Sequence, residues 1–262
     1  MNERHTTFPS APEAFFLVLC VWALGYLMAY ALYDARHWLG MDDLYSLGTI
    51  ATVLTNGIIF TALLQWKNLG YRELFNASPS ASAATVTLVV PLVLLATPLY
   101  LLVMGGVEDL LQTVFPMNAS LQEEFNLMGE MRLPQIVAAC VLAPVVEEML
   151  FRGIVLRSFL QQYERRYAII GSAVVFGFAH GNMYQFVGAT CFGIVAGWLY
   201  ERTRSLIPCI ALHAAVNTGI TFWPDSGAAS ASVPGVATWI LVALPALPAC
   251  YALRRFLATP AR

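Results

Sequence analysis

The sequence predicts an all-α protein: a polytopic membrane helix bundle of about eight transmembrane helices, with both termini in the cytoplasm. Three observations carry this. Of 262 residues, 58% are hydrophobic and only 11% charged, whereas an average soluble domain carries about 25% charge. Apolar runs close to the roughly 20 residues that cross about 30 Å of hydrocarbon recur along the chain. Lys and Arg are sorted between alternate connections, as the positive-inside rule requires.

The runs lie at about 14–33, 44–66, 83–104, 134–156, 167–181, 185–201, 206–223 and 236–253. The first three and the last are plain and lipid-like. The fourth to seventh are shorter or carry polar residues, which marks them as the functional bundle. Within the first, Ala29-Tyr30-Ala31 has the small-x-small form of a signal cleavage site. The run is long for a signal peptide and a single Arg precedes it, so it reads as an uncleaved anchor. The fifth and sixth are joined only by Gly181-Asn182-Met183-Tyr184, a tight turn.

With the N-terminus inside, eleven of the fourteen Lys and Arg fall in inside segments: Arg4, Lys67, Arg72, Arg157, Arg165, Arg166, Arg202, Arg204, Arg254, Arg255 and Arg262. Only Arg36 and Arg132 fall outside, and Arg152 lies within the fourth run. The longest outside segment, 105–132, is acidic. It carries Leu121, Phe125, Leu127 and Met128 at near-helical spacing, which fits a short amphipathic helix or a plain connector.

The low charge and the net of −2 exclude a disordered chain, a coiled coil and a nucleic-acid partner. The five cysteines (Cys20, Cys140, Cys191, Cys209 and Cys250) form no C-x-x-C pair and read as small buried apolar side chains.

A charge inside the bilayer costs several kcal/mol and so calls for a partner, water or a function. Such residues are few here and grouped. The fourth run contains Glu147, Glu148 and Arg152, the fifth ends in His180, and the seventh holds His213 and Asn217. Glu148 and Arg152 are four residues apart on one helix face, in the favourable order for pairing. Glu147 is rotated by about 100° from Glu148, which leaves it to point into a cavity. His213 and Asn217 are also four apart and share a face. At 1.5 Å per residue, Glu147 lies about 15 Å from Arg157, His213 about 14 Å from Arg204 and His180 about 21 Å from Arg166, so one cluster near mid-depth is allowed. A carboxylate base, a water and hydrogen-bond donors for an oxyanion are what amide hydrolysis needs. The same groups would also serve a proton relay, so a transporter or a non-enzymatic assembly partner is the alternative.

In order, Glu147-Glu148-x-x-x-Arg152, Phe176-x-x-x-His180 and His213-x-x-x-Asn217 resemble the motifs of the CPBP family, intramembrane proteases that include type II CaaX prenyl endopeptidases and bacteriocin-processing proteins. The resemblance covers about residues 134–223. It implies an intramembrane endopeptidase in which Glu147 activates a water that His180 helps to hold. His213 and Asn217 would stabilise the oxyanion, and Glu148 and Arg152 would support the site. The family is described both as metal-dependent and as glutamate-dependent, so a divalent metal such as zinc, held by Glu147, His180 and His213, stays open. No His-Glu-x-x-His helix of the common zinc-protease kind is present. Ser172 lacks a Gly-x-Ser-x-Gly setting, Ser226, Ser230 and Ser232 fall in an outside loop, and every Asp lies outside the runs, so serine and aspartyl chemistry find no support.

The expected organisation is 1–133 as N-terminal helices and outer loop, 134–223 as a CPBP-like catalytic core, and 224–262 as a last helix and cytoplasmic tail. The expected partners are a hydrophobic or lipidated peptide substrate and membrane lipid. The short loops suit a bacterial cytoplasmic membrane.

Overall fold

A computed structural model describes residues 7–76, 83, 85–123, 132–222 and 236–258. Among these there are long helices at every expected run and no strand. The helices are α1 (Ala11–Leu39), α2 (Leu44–Lys67), a short α3 (Tyr71–Phe75), α4 (Thr85–Val114), α5 (133–162), α6 (Arg165–Phe178), α7 (Met183–Thr203), α8 (Ile207–Phe222) and α9 (Val236–Phe256). Of these, α1, α2 and α4 are long and apolar enough to cross a membrane. The short α3 has no counterpart in the hydropathy pattern.

Local chemistry sets the helix ends. Before α1, the Ser10 backbone N–H and hydroxyl both donate to the Glu13 carboxylate at 2.7 Å. Gly40 closes the helix at φ +63°, a left-handed conformation that costs glycine no Cβ clash. Asp43 caps α2 by accepting from the Ser46 backbone N–H (3.1 Å) and hydroxyl (2.6 Å). Asn182 caps α7 by accepting from the Gln185 N–H at 2.9 Å.

One rod departs from regular α geometry. Within α5, the segments Ala138–Leu142 and Met149–Leu156 are π-wound, and the α-helical segment Ala143–Glu148 lies between them. Pro144 offers a cause for the first π segment: it has no N–H to donate and its ring crowds the carbonyl four residues back. Pro91 stands in the same relation to the π segment Thr85–Val89 that opens α4. Wider winding at a functional helix is a recurrent feature.

The core of the bundle is built around α5, and all eight residues of Met149–Leu156 are buried. The α6–α7 hairpin packs most closely of all pairs. A Cβ on Gly193 would meet the Ala173 Cα at 2.8 Å, and one on Gly177 would meet the Phe186 carbonyl at 2.8 Å. Small residues at such crossings let backbones approach, which is how helices gain contact energy in lipid. Of the cysteines, Cys140 and Cys209 are buried and Cys20 and Cys191 half-buried, but Cys250 is exposed on α9, where the sequence predicts burial.

The five segments that the charge rule assigns to one side meet at one end of the bundle. Gln162 donates to the carbonyls of Thr7 and Pro9, and Lys67 to that of Phe8 at 2.7 Å. Arg157 pairs with Glu73 at 2.7 Å, and the Leu206 N–H donates to the Phe75 carbonyl at 2.9 Å. Arg202 donates to the Ala258 carbonyl at 3.0 Å. At the opposite end, Arg132 lies over the Tyr45 ring and the Tyr184 hydroxyl donates to the Phe115 carbonyl. In the outer segment α4 runs on to Val114; Phe125, Leu127 and Met128 lie outside the described residues, as do Ser226, Ser230 and Ser232.

Candidate active site

Glu148 is the hub. Its side chain is 0% exposed, and a single oxygen, Oε1, accepts from Arg152 Nη1 and from His213 Nδ1, each at 2.8 Å. The Arg152 guanidinium is 1% exposed. It also lies over the Phe176 ring at 4.6 Å and the Phe192 ring at 5.3 Å, where the ring faces attract the cation. Those same rings flank the His213 imidazole, at 4.7 Å for Phe192 and 6.0 Å for Phe176. A carboxylate, a cation and an imidazole are thus interlocked inside an aromatic shell. Removing one partner from such a buried set leaves an uncompensated charge.

This arrangement orients His213. A carboxylate can only accept here, so Nδ1 carries the hydrogen, and a ring nitrogen fixed by one partner leaves the other nitrogen for chemistry. His213 Nε2 faces Glu147, 3.8 Å from its Oε2. The Glu147 side chain is 31% exposed, a marked contrast with its fully buried neighbour. The rotation between consecutive helical residues produces it: Glu148 turns into the bundle and Glu147 into a cavity.

That cavity, of about 220 Å³, is lined by Glu147 and His180 together with Trp22, Thr52, Asn56 and apolar neighbours from α1, α5 and the turn after α6. His180 sits on the turn after α6. Its Nδ1 donates to the Phe176 carbonyl at 2.9 Å, which leaves its Nε2 as the remaining polar atom. So the structure gathers Glu147, Glu148, Arg152 and His213 by direct contact, and His180 shares the Glu147 cavity.

A family model matches this part of the chain: residues 129–219 fit the type II CAAX prenyl endopeptidase Rce1-like model. The match covers about a third of the chain, and this segment is therefore similar to that family, in agreement with the motif resemblance to CPBP proteins. A Bacillus subtilis (strain 168) protein, YdiL, whose name marks it as a candidate membrane peptidase, is 28% identical over 83 residues. That match covers 32% of this chain and 34% of the relative, so the chain spans about a third of the length of the curated relative it matches. No solved structure matches. With its long apolar helices, this is a membrane protein.

Within the matched segment, Asn217 is placed differently from the other motif residues. Its Nδ2 donates to the Ala139 carbonyl at 2.7 Å, inside the first π segment. One N–H is therefore committed to the α5 backbone, and the second remains. Among the described residues, no three His, Cys, Asp or Glu side chains gather closely enough to hold a metal ion. Ser172 is buried, with its hydroxyl turned to the Ile169 carbonyl.

The sequence reading passed over three cavity residues because the first two runs look lipid-like. Trp22 donates its indole N–H to the Ala179 carbonyl at 3.2 Å and stacks on Phe178 at 5.4 Å. It therefore grips the turn that carries His180. Thr52 and Asn56 come from α2. The available signal was Asn56 itself, an amide in the middle of an apolar run, where a polar side chain calls for a reason.

Proposed function

We propose that this chain is a multi-pass intramembrane endopeptidase of a bacterial cytoplasmic membrane. It would hydrolyse a peptide bond in a hydrophobic or membrane-tethered peptide with water activated by Glu147. The observation that carries this reading is the Glu147 carboxylate, 3.8 Å from His213 Nε2 on a cavity it shares with His180. The gathering of five charged segments at one end of the bundle supports an even number of crossings.

In this reading Glu147 takes a proton from a water that His180 Nε2 helps to hold. The water oxygen attacks the scissile carbonyl, and a C–O bond forms. The oxyanion is met by His213 Nε2 when that ring is protonated, and by the second N–H of Asn217. As the C–N bond breaks, Glu147 returns the proton to the leaving amine. Glu148 and Arg152 do not touch the reacting atoms; they fix the His213 ring. General base catalysis of this kind contributes about 100- to 10,000-fold, and one oxyanion donor about 100- to 1000-fold.

The test is cleavage of candidate apolar peptides by purified protein in detergent. Glu147→Ala and His180→Ala are expected to lose at least about 100-fold in rate. Cleavage by both at the parent rate would refute the protease reading. Loss of ion-coupled uptake in Glu147→Gln, with no proteolysis by the parent, would favour a relay instead.

A further inference from the structure

The cavity has a wall that the family match does not reach. Thr52 and Asn56 of α2 line it beside Glu147 and His180, yet the matched segment begins at residue 129. An amide midway along a membrane helix is costly unless it meets a partner or serves a function. Asn56 is half-buried and donates one Nδ2–H to the Thr52 carbonyl at 2.9 Å. The Thr52 hydroxyl turns back in the same way, to the Gly48 carbonyl at 3.0 Å. The bond from Nδ2 commits the amide nitrogen to its own helix and leaves Oδ1 without a hydrogen-bond partner among the described residues, on a side chain that lines the cavity.

The polar groups of the proposed site are unevenly assigned. In the proposed reaction Glu147 and His180 attend the water, and His213 and Asn217 attend the carbonyl oxygen. None is left for the N–H groups of an entering peptide backbone. Those donors lose their water on entering an apolar cavity, and an unmet buried donor costs more than a made hydrogen bond returns. Asn56 Oδ1, an amide oxygen on a side chain that lines the cavity, is an acceptor suited to them.

We propose that Asn56 is a substrate-binding residue: its Oδ1 accepts a hydrogen bond from a backbone N–H of the bound peptide and holds the scissile carbonyl toward Glu147. The proposal rests on the protease reading above and adds a specificity: the substrate enters as extended backbone with free N–H groups. A segment that keeps its helical hydrogen bonds, or one N-methylated at the contacted residue, would be a poor substrate.

The experiment pairs Asn56→Leu with a series of peptides in which one non-scissile amide at a time is replaced by an ester, which removes the N–H. Asn56→Leu is expected to raise KM about tenfold with kcat within about twofold. One ester position is expected to cost the parent about tenfold in kcat/KM and to cost Asn56→Leu nothing, the signature of a shared interaction in a double-mutant cycle. If Asn56→Leu does not fold, Asn56→Ala run through the same series reads the same quantity. Unchanged KM in the Asn56 variant, with Glu147→Ala inactive, would overturn this inference alone. Equal ester losses in parent and variant would do the same. Parent-like cleavage by Glu147→Ala would remove the protease reading and this proposal with it.

Discussion

Two parts of the bundle sit in the same membrane under different rules. From Met149 to Leu156 every residue is buried, and the winding is π rather than α. On α1, by contrast, Tyr26, Leu27 and Tyr30 are each more than two-thirds exposed along the helix that also carries Trp22. The first region carries Arg152, which interlocks with Glu148 just before it and with His213 of α8 in a set that lipid could never solvate. The second is a lipid-facing hairpin that turns one face, through Trp22 and Asn56, onto the Glu147 cavity. The comparison teaches that the chemistry-bearing rod and the wall that completes its cavity carry different kinds of residue. A buried charge network announces itself, whereas a wall needs only one or two polar atoms on an apolar helix.

The sharpest way to break that contrast is to disturb each part in turn and compare. Glu148→Ala leaves Arg152 as an uncompensated buried cation and is expected to destabilise by about 3–5 kcal/mol. The loss would be read as a large fall in the detergent unfolding temperature. Asn56→Leu is expected to leave that temperature within a degree or two. Equal losses in both would erase the distinction.

A smaller effect is expected where the domain packs on itself. Gly193→Ala drives a methyl into the Ala173 backbone and is expected to cost about 1–3 kcal/mol. The α6–α7 crossing should then show faster amide exchange than α1. Trp22→Phe keeps a ring against Phe178 but removes the N–H given to Ala179. A cost of about 0.5–1.5 kcal/mol is expected, with a severalfold fall in kcat and little change in KM, because the turn beneath His180 loosens. A fall confined to KM would instead make Trp22 a substrate contact.

The smallest effect lies outside the bilayer. The Ser46 hydroxyl and N–H hold the Asp43 carboxyl below its ordinary value. A carboxyl lowered in the folded state stabilises above its unfolded pKa, and that contribution disappears as pH falls through the folded value. Protection of the first-turn amides of α2 is therefore expected to fall under acid conditions and to be insensitive to pH near neutrality. In Asp43→Ala, protection of the same amides relative to the unfolded chain is expected to be flat across the acid range.

Much of this was legible in the sequence, for reasons that the two regions make plain. Hydropathy located the long described helices because each carries an apolar run, and α1, α2 and α4 have the length and apolarity that a crossing demands. The Glu148–Arg152 pair followed from helical spacing alone, and so did the turning of Glu147 away from it. The π winding of α5 was not legible, although Pro144 marks its place, because a missing N–H permits several local adjustments. The bond from Asn217 to the Ala139 carbonyl depends on that winding and was hidden with it. Trp22 and Asn56 were obscured by averaging: across twenty apolar neighbours, one indole and one amide barely register.

The most direct test of the account compares the parent and Glu147→Gln, reconstituted in the same bilayer, in single-turnover cleavage of one apolar peptide. Gln preserves the shape of the side chain and removes only its capacity to take a proton. The account predicts that the first-turnover rate falls by at least about 100-fold with peptide binding unchanged. Cleavage by Glu147→Gln at the parent rate would contradict it.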